Sequence, residues 1–136
     1  MPIVYSVRNV MTEKLITVDV QTTANDAIKL MVEKDIGSVV VTEKGKPIGI
    51  VTERDILKKC CLNTACERVK VGEIMSKPLI TVDANTPIGT AVELMVEKNI
   101  RRLLVTENGE VKGIVTQKDL MRGTLDTFHT IASLPT

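Results

Sequence analysis

Apolar and polar positions follow one pattern twice along this chain. Residues 15–18, Leu-Ile-Thr-Val, form a short β-rich run and predict a strand. Ala24, Ala27, Ile28 and Met31 then fall at i, i+3, i+4 and i+7, the stripe of an amphipathic helix. A second β-rich run covers 38–42, the turn residues Lys44-Gly45 follow, and a return strand is expected over 48–51. Thr52 opens a second helix through Ile56-Leu57. The same order recurs: a strand at 79–82, a helical stripe of Ile88, Ala91, Val92 and Met95, strands at 103–106 and 111–115, and a helix opened by Thr116 through Leu120-Met121. Between the last two strands stands Asn108-Gly109, a strong hairpin signal. Thr86-Pro87 should supply a helix cap and first-turn proline, with Thr22 as the equivalent cap.

The recurrence is a duplication. Residues 7–59 laid over 71–123, at a constant offset of 64 and without a gap, are identical in 24 of 53 columns. Val7-Arg8-Asn9-Val10-Met11 matches Val71-Gly72-Glu73-Ile74-Met75, and Leu30-Met31-Val32-Glu33-Lys34 recurs as Leu94-Met95-Val96-Glu97-Lys98. The chain therefore divides into a tail (1–6), a first repeat (7–59), a linker (60–70), a second repeat (71–123) and a second tail (124–136), which is either a helix at a dimer edge or disordered. Each repeat reads β-α-β-β-α, giving an α/β (α+β) fold. A 53-residue unit is small for a core of its own, so the copies are expected to pack as a pseudo-two-fold pair with a cleft on the dyad.

Composition narrows the partners. The 136 residues carry 18 basic and 17 acidic side chains, and the formal charge of +1 disfavours broad binding to nucleic acid. Tyr5 and Phe128 are the only aromatics, both outside the duplicated columns, which removes the platforms for stacking single-stranded bases. No apolar run approaches the ~20 residues of a membrane span, and the N-terminus lacks the pattern of a signal peptide, so a cytoplasmic protein is expected. Cys60, Cys61 and Cys66 are odd in number and have no nearby His. A zinc site is therefore disfavoured, and structural or free thiols are expected. A Cys61–Cys66 or intersubunit disulfide remains open. With its single histidine, His129, in the second tail, the chain offers almost no catalytic group, and a non-enzyme without metal or resident cofactor is expected.

The candidate chemistry lies in Gly49-Ile50-Val51-Thr52-Glu53-Arg54-Asp55 and its echo Gly113-Ile114-Val115-Thr116-Gln117-Lys118-Asp119. A strand ends and a helix begins at a Thr, where unpaired N–H groups and the helix dipole favour an anion. The Thr hydroxyl can donate to a phosphate, and an Asp three residues on can accept from paired ribose hydroxyls. Thr-x-x-Asp is also a capping box, its commoner meaning in isolation. Arg54 and Lys118 add positive charge inside the two segments. Arg101-Arg102 is a second candidate, since Arg suits phosphate geometry. The first copy has Gly37-Ser38 there. Either the arginines serve a more anionic ligand, or the small pair leaves room for a ligand where the arginines close the other pocket.

These features together resemble tandem CBS domains, the cystathionine-beta-synthase-type repeats that pair into a Bateman module. The resemblance rests on the Val-x-x-Val/Ile-Met opening, the Ile-Thr-Val-Asp strand and the doubled Gly-Ile-Val-Thr-x-x-Asp, and it covers 7–123. It implies a regulatory, non-enzymatic binder of an adenine nucleotide (AMP, ADP or ATP) in the clefts between repeats. S-adenosylmethionine, a nucleic acid, or no ligand in a pure interaction scaffold are the alternatives. It assigns Asp55 and Asp119 to ribose, Thr52 and Thr116 to phosphate or ribose, and Thr17, Val18, Thr81 and Val82 to the adenine pocket. Val40 and Leu104, with Gly37, Ser38, Arg101 and Arg102, would line the same sites, the basic pair meeting phosphate. It further implies a homodimer as a flat four-repeat disc, acting on a partner protein or as a stand-alone sensor, without a membrane.

Overall fold

The computed structural model describes residues 5–63, 66–77 and 79–135. The chain forms two compact units, Leu15–Leu79 and Met1–Lys14 with Ile80–Thr136. In each, the order β-α-β-β-α holds, in agreement with the periodicity.

The first unit contains β1 (Thr17–Asp19), α1 (Ala24–Lys34), β2 (Ser38–Glu43), β3 (Lys46–Thr52), α2 (Glu53–Lys59) and a short helix α3 (Val71–Ile74). The second contains β4 (Thr81–Asp83), α4 (Ile88–Lys98), β5 (Arg102–Glu107), β6 (Glu110–Thr116) and α5 (Gln117–Ala132), preceded by a 3-10 turn at Val7–Asn9. The sheets are β1-β2-β3 and β4-β5-β6, each with one parallel and one antiparallel pairing. The parallel pair needs a crossover, which α1 and α4 provide. The hairpins turn on Lys44-Gly45 and Asn108-Gly109, with φ of 52° and 79°, and 53° and 79°. Positive φ at both central residues matches a type I′ turn, whose twist suits the flanking strands.

Each core is aliphatic. Ala24, Ala27, Met31, Val39, Val41, Val51 and Ile56 are buried together in the first unit, and Ala91, Met95, Leu103, Val105, Val115 and Leu120 in the second. Small residues on one face of α1 and α4 let each helix lie close on its sheet. The bend in register at Val41/Thr42 and Val105/Thr106 is also duplicated.

Three features depart from the sequence reading. First, α1 is capped by Thr23, whose hydroxyl accepts from the Asp26 N–H at 3.2 Å, and not by Thr22. Pro87, not Thr86, likewise occupies the cap position of α4, with no side-chain cap bond. The Thr22 and Thr86 carbonyls instead accept N–H bonds from Val71 (2.8 Å) and Val7 (3.0 Å). Second, each repeat's Val-x-x-Val/Ile-Met opening joins the sheet of the other repeat. Ser76 bridges Ile50 in the first unit, and Thr12 bridges Ile114 in the second. Third, the two repeats' last helices differ in length: α2 stops after 7 residues, whereas α5 runs 16 residues to Ala132 and takes in most of the second tail, the helical one of the two alternatives for it.

The described residues of the linker make two further contacts with the first unit's helices. Cys60 ends α2 and pairs with Cys66, leaving Cys61 as an exposed thiol. The disulfide therefore uses the cysteine that points into the core, Cys60 being fully buried, and not Cys61. The Cys66 and Val69 carbonyls accept from the first N–H groups of α1, at Asn25 (3.0 Å) and Ala24 (2.7 Å).

Candidate functional site

Both candidate sites are built at the same end of a three-stranded sheet. In the first unit Ser38, the first residue of β2, lies opposite Thr52, the last of β3. Thr17 on β1 registers with Val40, and Val40 with Ile50. The Gly37 carbonyl accepts from the Glu53 N–H at 3.1 Å, which ties the entry of β2 to the start of α2. The second unit repeats this: Arg102 lies opposite Thr116, Thr81 registers with Leu104, and the Arg101 carbonyl accepts from the Gln117 N–H at 2.8 Å.

Alternation along β1 and β4 separates the sequence candidates. Val18 and Val82 pack against the buried cores, so their side chains serve the fold and only their backbone stays at the site. Thr17 and Thr81 point the other way and are exposed. Val40 and Leu104 are buried, though they belong to the same strand face as those threonines. Arg54, Arg101 and Lys118 are exposed, and Arg102 is half-buried.

The Thr–Asp elements form capping boxes in both units. Thr52 N–H donates to Asp55 Oδ2 at 2.9 Å, and Asp55 N–H donates to Thr52 Oγ1 at 3.3 Å. Thr116 and Asp119 repeat both bonds, at 2.9 and 3.2 Å. A cap satisfies N–H groups that a helix leaves orphaned. It also fixes the Asp side chain, with Oδ2 holding the cap in both units.

The crossing segments explain the glycines of Gly-Ile-Val-Thr. A Cβ at Gly113 would stand 2.7 Å from the Thr12 carbonyl oxygen; at Gly49 it would stand 2.5 Å from Met75 Sδ and 3.1 Å from the Ser76 carbonyl oxygen. The crossing segment therefore occupies the volume a side chain would need, with its backbone at Gly113 and chiefly with the Met75 side chain at Gly49. Sequence reading took Met75-Ser76 and Met11-Thr12 as parts of their own repeats and missed that they border the Thr–Asp elements of the other. The absent side chain at two equivalent strand positions was the available signal.

The CBS domain family model matches residues 7–61 and 71–126. The chain is a CBS-domain protein. Its two repeats in tandem make a CBS pair, or Bateman module. An uncharacterized protein of Methanopyrus kandleri is 43% identical over 120 residues, covering 86% of this chain and 61% of that protein. The chain thus matches about three-fifths of that relative's length. Among solved structures, an uncharacterized conserved protein from Pyrococcus horikoshii superposes with a TM-score of 0.83 at 34% identity, covering 91% of this CBS pair and 95% of the other chain. A CBS domain pair in complex with 5′-methylthioadenosine and S-adenosyl-L-methionine superposes with a TM-score of 0.77 at 27% identity, covering 86% and 97%. Among the described residues no cluster of His, Cys, Asp or Glu could hold a metal, and no helix is long and apolar enough to cross a membrane.

Proposed function

We propose that this CBS pair is a regulatory, non-enzymatic sensor of an adenosine-containing ligand, with AMP, ADP or ATP as the first candidates. The observation that carries this reading is a Thr–Asp element that the fold offers twice, at the end of β3 and at the end of β6, one of which is enough for it. Its carboxylate is held by a backbone cap beside the first residue of the neighbouring strand. A carboxylate so placed can accept from two ribose hydroxyls. In the second unit Arg101, Arg102 and Lys118 stand near the same strand end, and a phosphate there would meet concentrated positive charge. With both aromatics outside the duplicated columns, an adenine would lie against aliphatic side chains such as Leu104 and be read by backbone groups. Binding would regulate through a differential affinity for two arrangements of the protein or its partner.

S-adenosylmethionine is the second reading, favoured by the neighbouring CBS pair that holds this ligand together with 5′-methylthioadenosine. The Asp contact to ribose would serve it equally, and its positive sulfonium would gain nothing from the arginines.

A homodimer belongs to the same proposal. Met121, Leu125, Phe128 and Ile131 form an exposed apolar stripe along α5, which a second copy would cover.

Isothermal titration with AMP, ATP and S-adenosylmethionine, alongside melting shifts, tests the binding reading. Absence of heat and of any shift at millimolar ligand would overturn it. The ultraviolet spectrum adds a simple check. With no Trp and one Tyr the protein absorbs weakly, so a co-purified adenine compound would dominate.

A further inference from the structure

The two Thr–Asp elements are equal in sequence but not in what surrounds their carboxylates. Asp55 is buried and has both oxygens engaged. Its Oδ2 accepts from the Thr52 N–H and also from the Thr52 hydroxyl, at 3.1 Å. Its Oδ1 accepts from the Ser76 hydroxyl at 3.0 Å and faces the Lys59 ammonium at 3.4 Å. That ammonium also donates to the Ile74 carbonyl at 3.2 Å. Asp55 is therefore the centre of a polar tie between α2 and the crossing segment that carries α3.

Asp119 has no such tie. At the offset of 64, Ser76 corresponds to Thr12 and Lys59 to Gly123. Gly123 carries no side chain, and the Thr12 hydroxyl makes no bond to Asp119 among the described residues. The carboxylate accepts only the Thr116 N–H, on Oδ2, and Oδ1 accepts from no described group. No buried side-chain oxygen among the described residues lacks a partner, so Oδ1 of Asp119 is open to solvent. The charge differs in the same sense. Arg101 and Arg102 stand at the entry of β5, whereas Gly37 and Ser38 stand at the entry of β2.

We infer that the CBS pair has one ligand site per chain, at Asp119, and that Asp55 is a structural residue closed to ligand by Ser76 and Lys59. This rests on the nucleotide reading above and adds which repeat performs it. A ribose at Asp55 would have to displace a hydroxyl and an ammonium already bound to the carboxylate. A ribose at Asp119 displaces only water. The phosphate of the same ligand then meets the basic end of β5. Ser76 and Lys59 are the residues that set the occupancy, acting through Asp55.

Titration of the full chain with AMP, and in parallel with S-adenosylmethionine, tests this. One equivalent per chain is expected with the probe that binds. Asp119→Ala should weaken it by about 10- to 100-fold, the worth of hydrogen bonds to a charged group. Asp119→Asn should weaken binding too while melting like the parent. Asp55→Ala should leave affinity within about 3-fold yet lower the melting temperature more than Asp119→Ala does, because it leaves Lys59 and Ser76 without their partner. The double variant Ser76→Ala, Lys59→Ala should expose a second equivalent. Two equivalents in the parent, equal melting losses for the two alanine variants, or loss of binding with Asp55→Ala alone would overturn the single-site inference while leaving the nucleotide reading intact. No binding with either probe at millimolar concentration overturns both.

Discussion

Alanine at Gly113 and at Gly49 makes the same change at two equivalent columns, and the two should differ in cost. At Gly113 the added methyl would stand 2.7 Å from the carbonyl oxygen of Thr12 and 3.2 Å from Met11 Sδ. The oxygen belongs to backbone pinned on both sides, with Thr12 N–H donating to the Ile114 carbonyl at 2.8 Å and Ile114 N–H donating to the Thr12 carbonyl at 2.9 Å. Relief requires the crossing segment to move several tenths of an ångström and stretch both bonds. Overpacking of this kind costs about 1–3 kcal/mol. Weakening two bonds worth about 1 kcal/mol each adds to it. Loss of glycine entropy from the unfolded chain returns about 0.4–1 kcal/mol. A net loss of about 2–4 kcal/mol is expected.

At Gly49 the nearest atoms, Met75 Sδ at 2.5 Å and Cγ at 2.9 Å, belong to a flexible side chain that can swing away. The backbone oxygen of Ser76 is farther, at 3.1 Å, so a loss of about 1–2 kcal/mol is expected. Urea unfolding followed by far-ultraviolet circular dichroism measures both, since the chain has no Trp and Tyr5 is exposed. A Gly113→Ala variant that matches the parent, or that is no less stable than Gly49→Ala, would refute the claim that the crossing backbone dictates Gly113.

Three further outcomes are expected. Reducing the Cys60–Cys66 bond opens a loop with a sequence separation of 6 and should cost about 2 kcal/mol on the chain-entropy account, seen as a lower urea midpoint with a phosphine reductant; an unchanged midpoint would count against the bond. Phe128→Glu places a charge in the exposed stripe of α5 and should shift a dimer towards monomer in sedimentation velocity with an unchanged circular dichroism spectrum; a parent that already sediments as a monomer removes the homodimer proposal. Thr116→Ala removes the α5 cap bond to the Asp119 N–H at 3.2 Å and should cost about 1 kcal/mol in urea, whereas no loss would show that the cap carries no stability.

Much of the fold was legible because it is local. A type I′ turn requires positive φ at two adjacent residues, and Asn108-Gly109 announces it directly. The helical stripes and the capping boxes depend on spacing within one turn or two, and the duplication doubled each signal. Helix caps were misplaced by one residue at Thr22 and Thr86 for a non-local reason. The carbonyls of those threonines are taken by Val71 and Val7, which are distant in sequence. The cysteine pairing depended on which of two adjacent side chains faced the core, and only the end of α2 settles that.

By itself, the sequence determined the family, the order of elements within each repeat, and the residue types at the two candidate sites. It contained the differences Ser76 against Thr12 and Lys59 against Gly123 but gave them no meaning, because neither Ser76 nor Thr12 lies near its Asp along the chain. Only the tertiary structure decided that each repeat's opening segment would cross to the other repeat's sheet. That crossing fixes Gly49 and Gly113, draws Ser76 onto Asp55, and leaves Asp119 open. Local patterns reflect bonds within a few residues, whereas the state of a carboxylate depends on whichever donors the fold brings within about 3 Å of it.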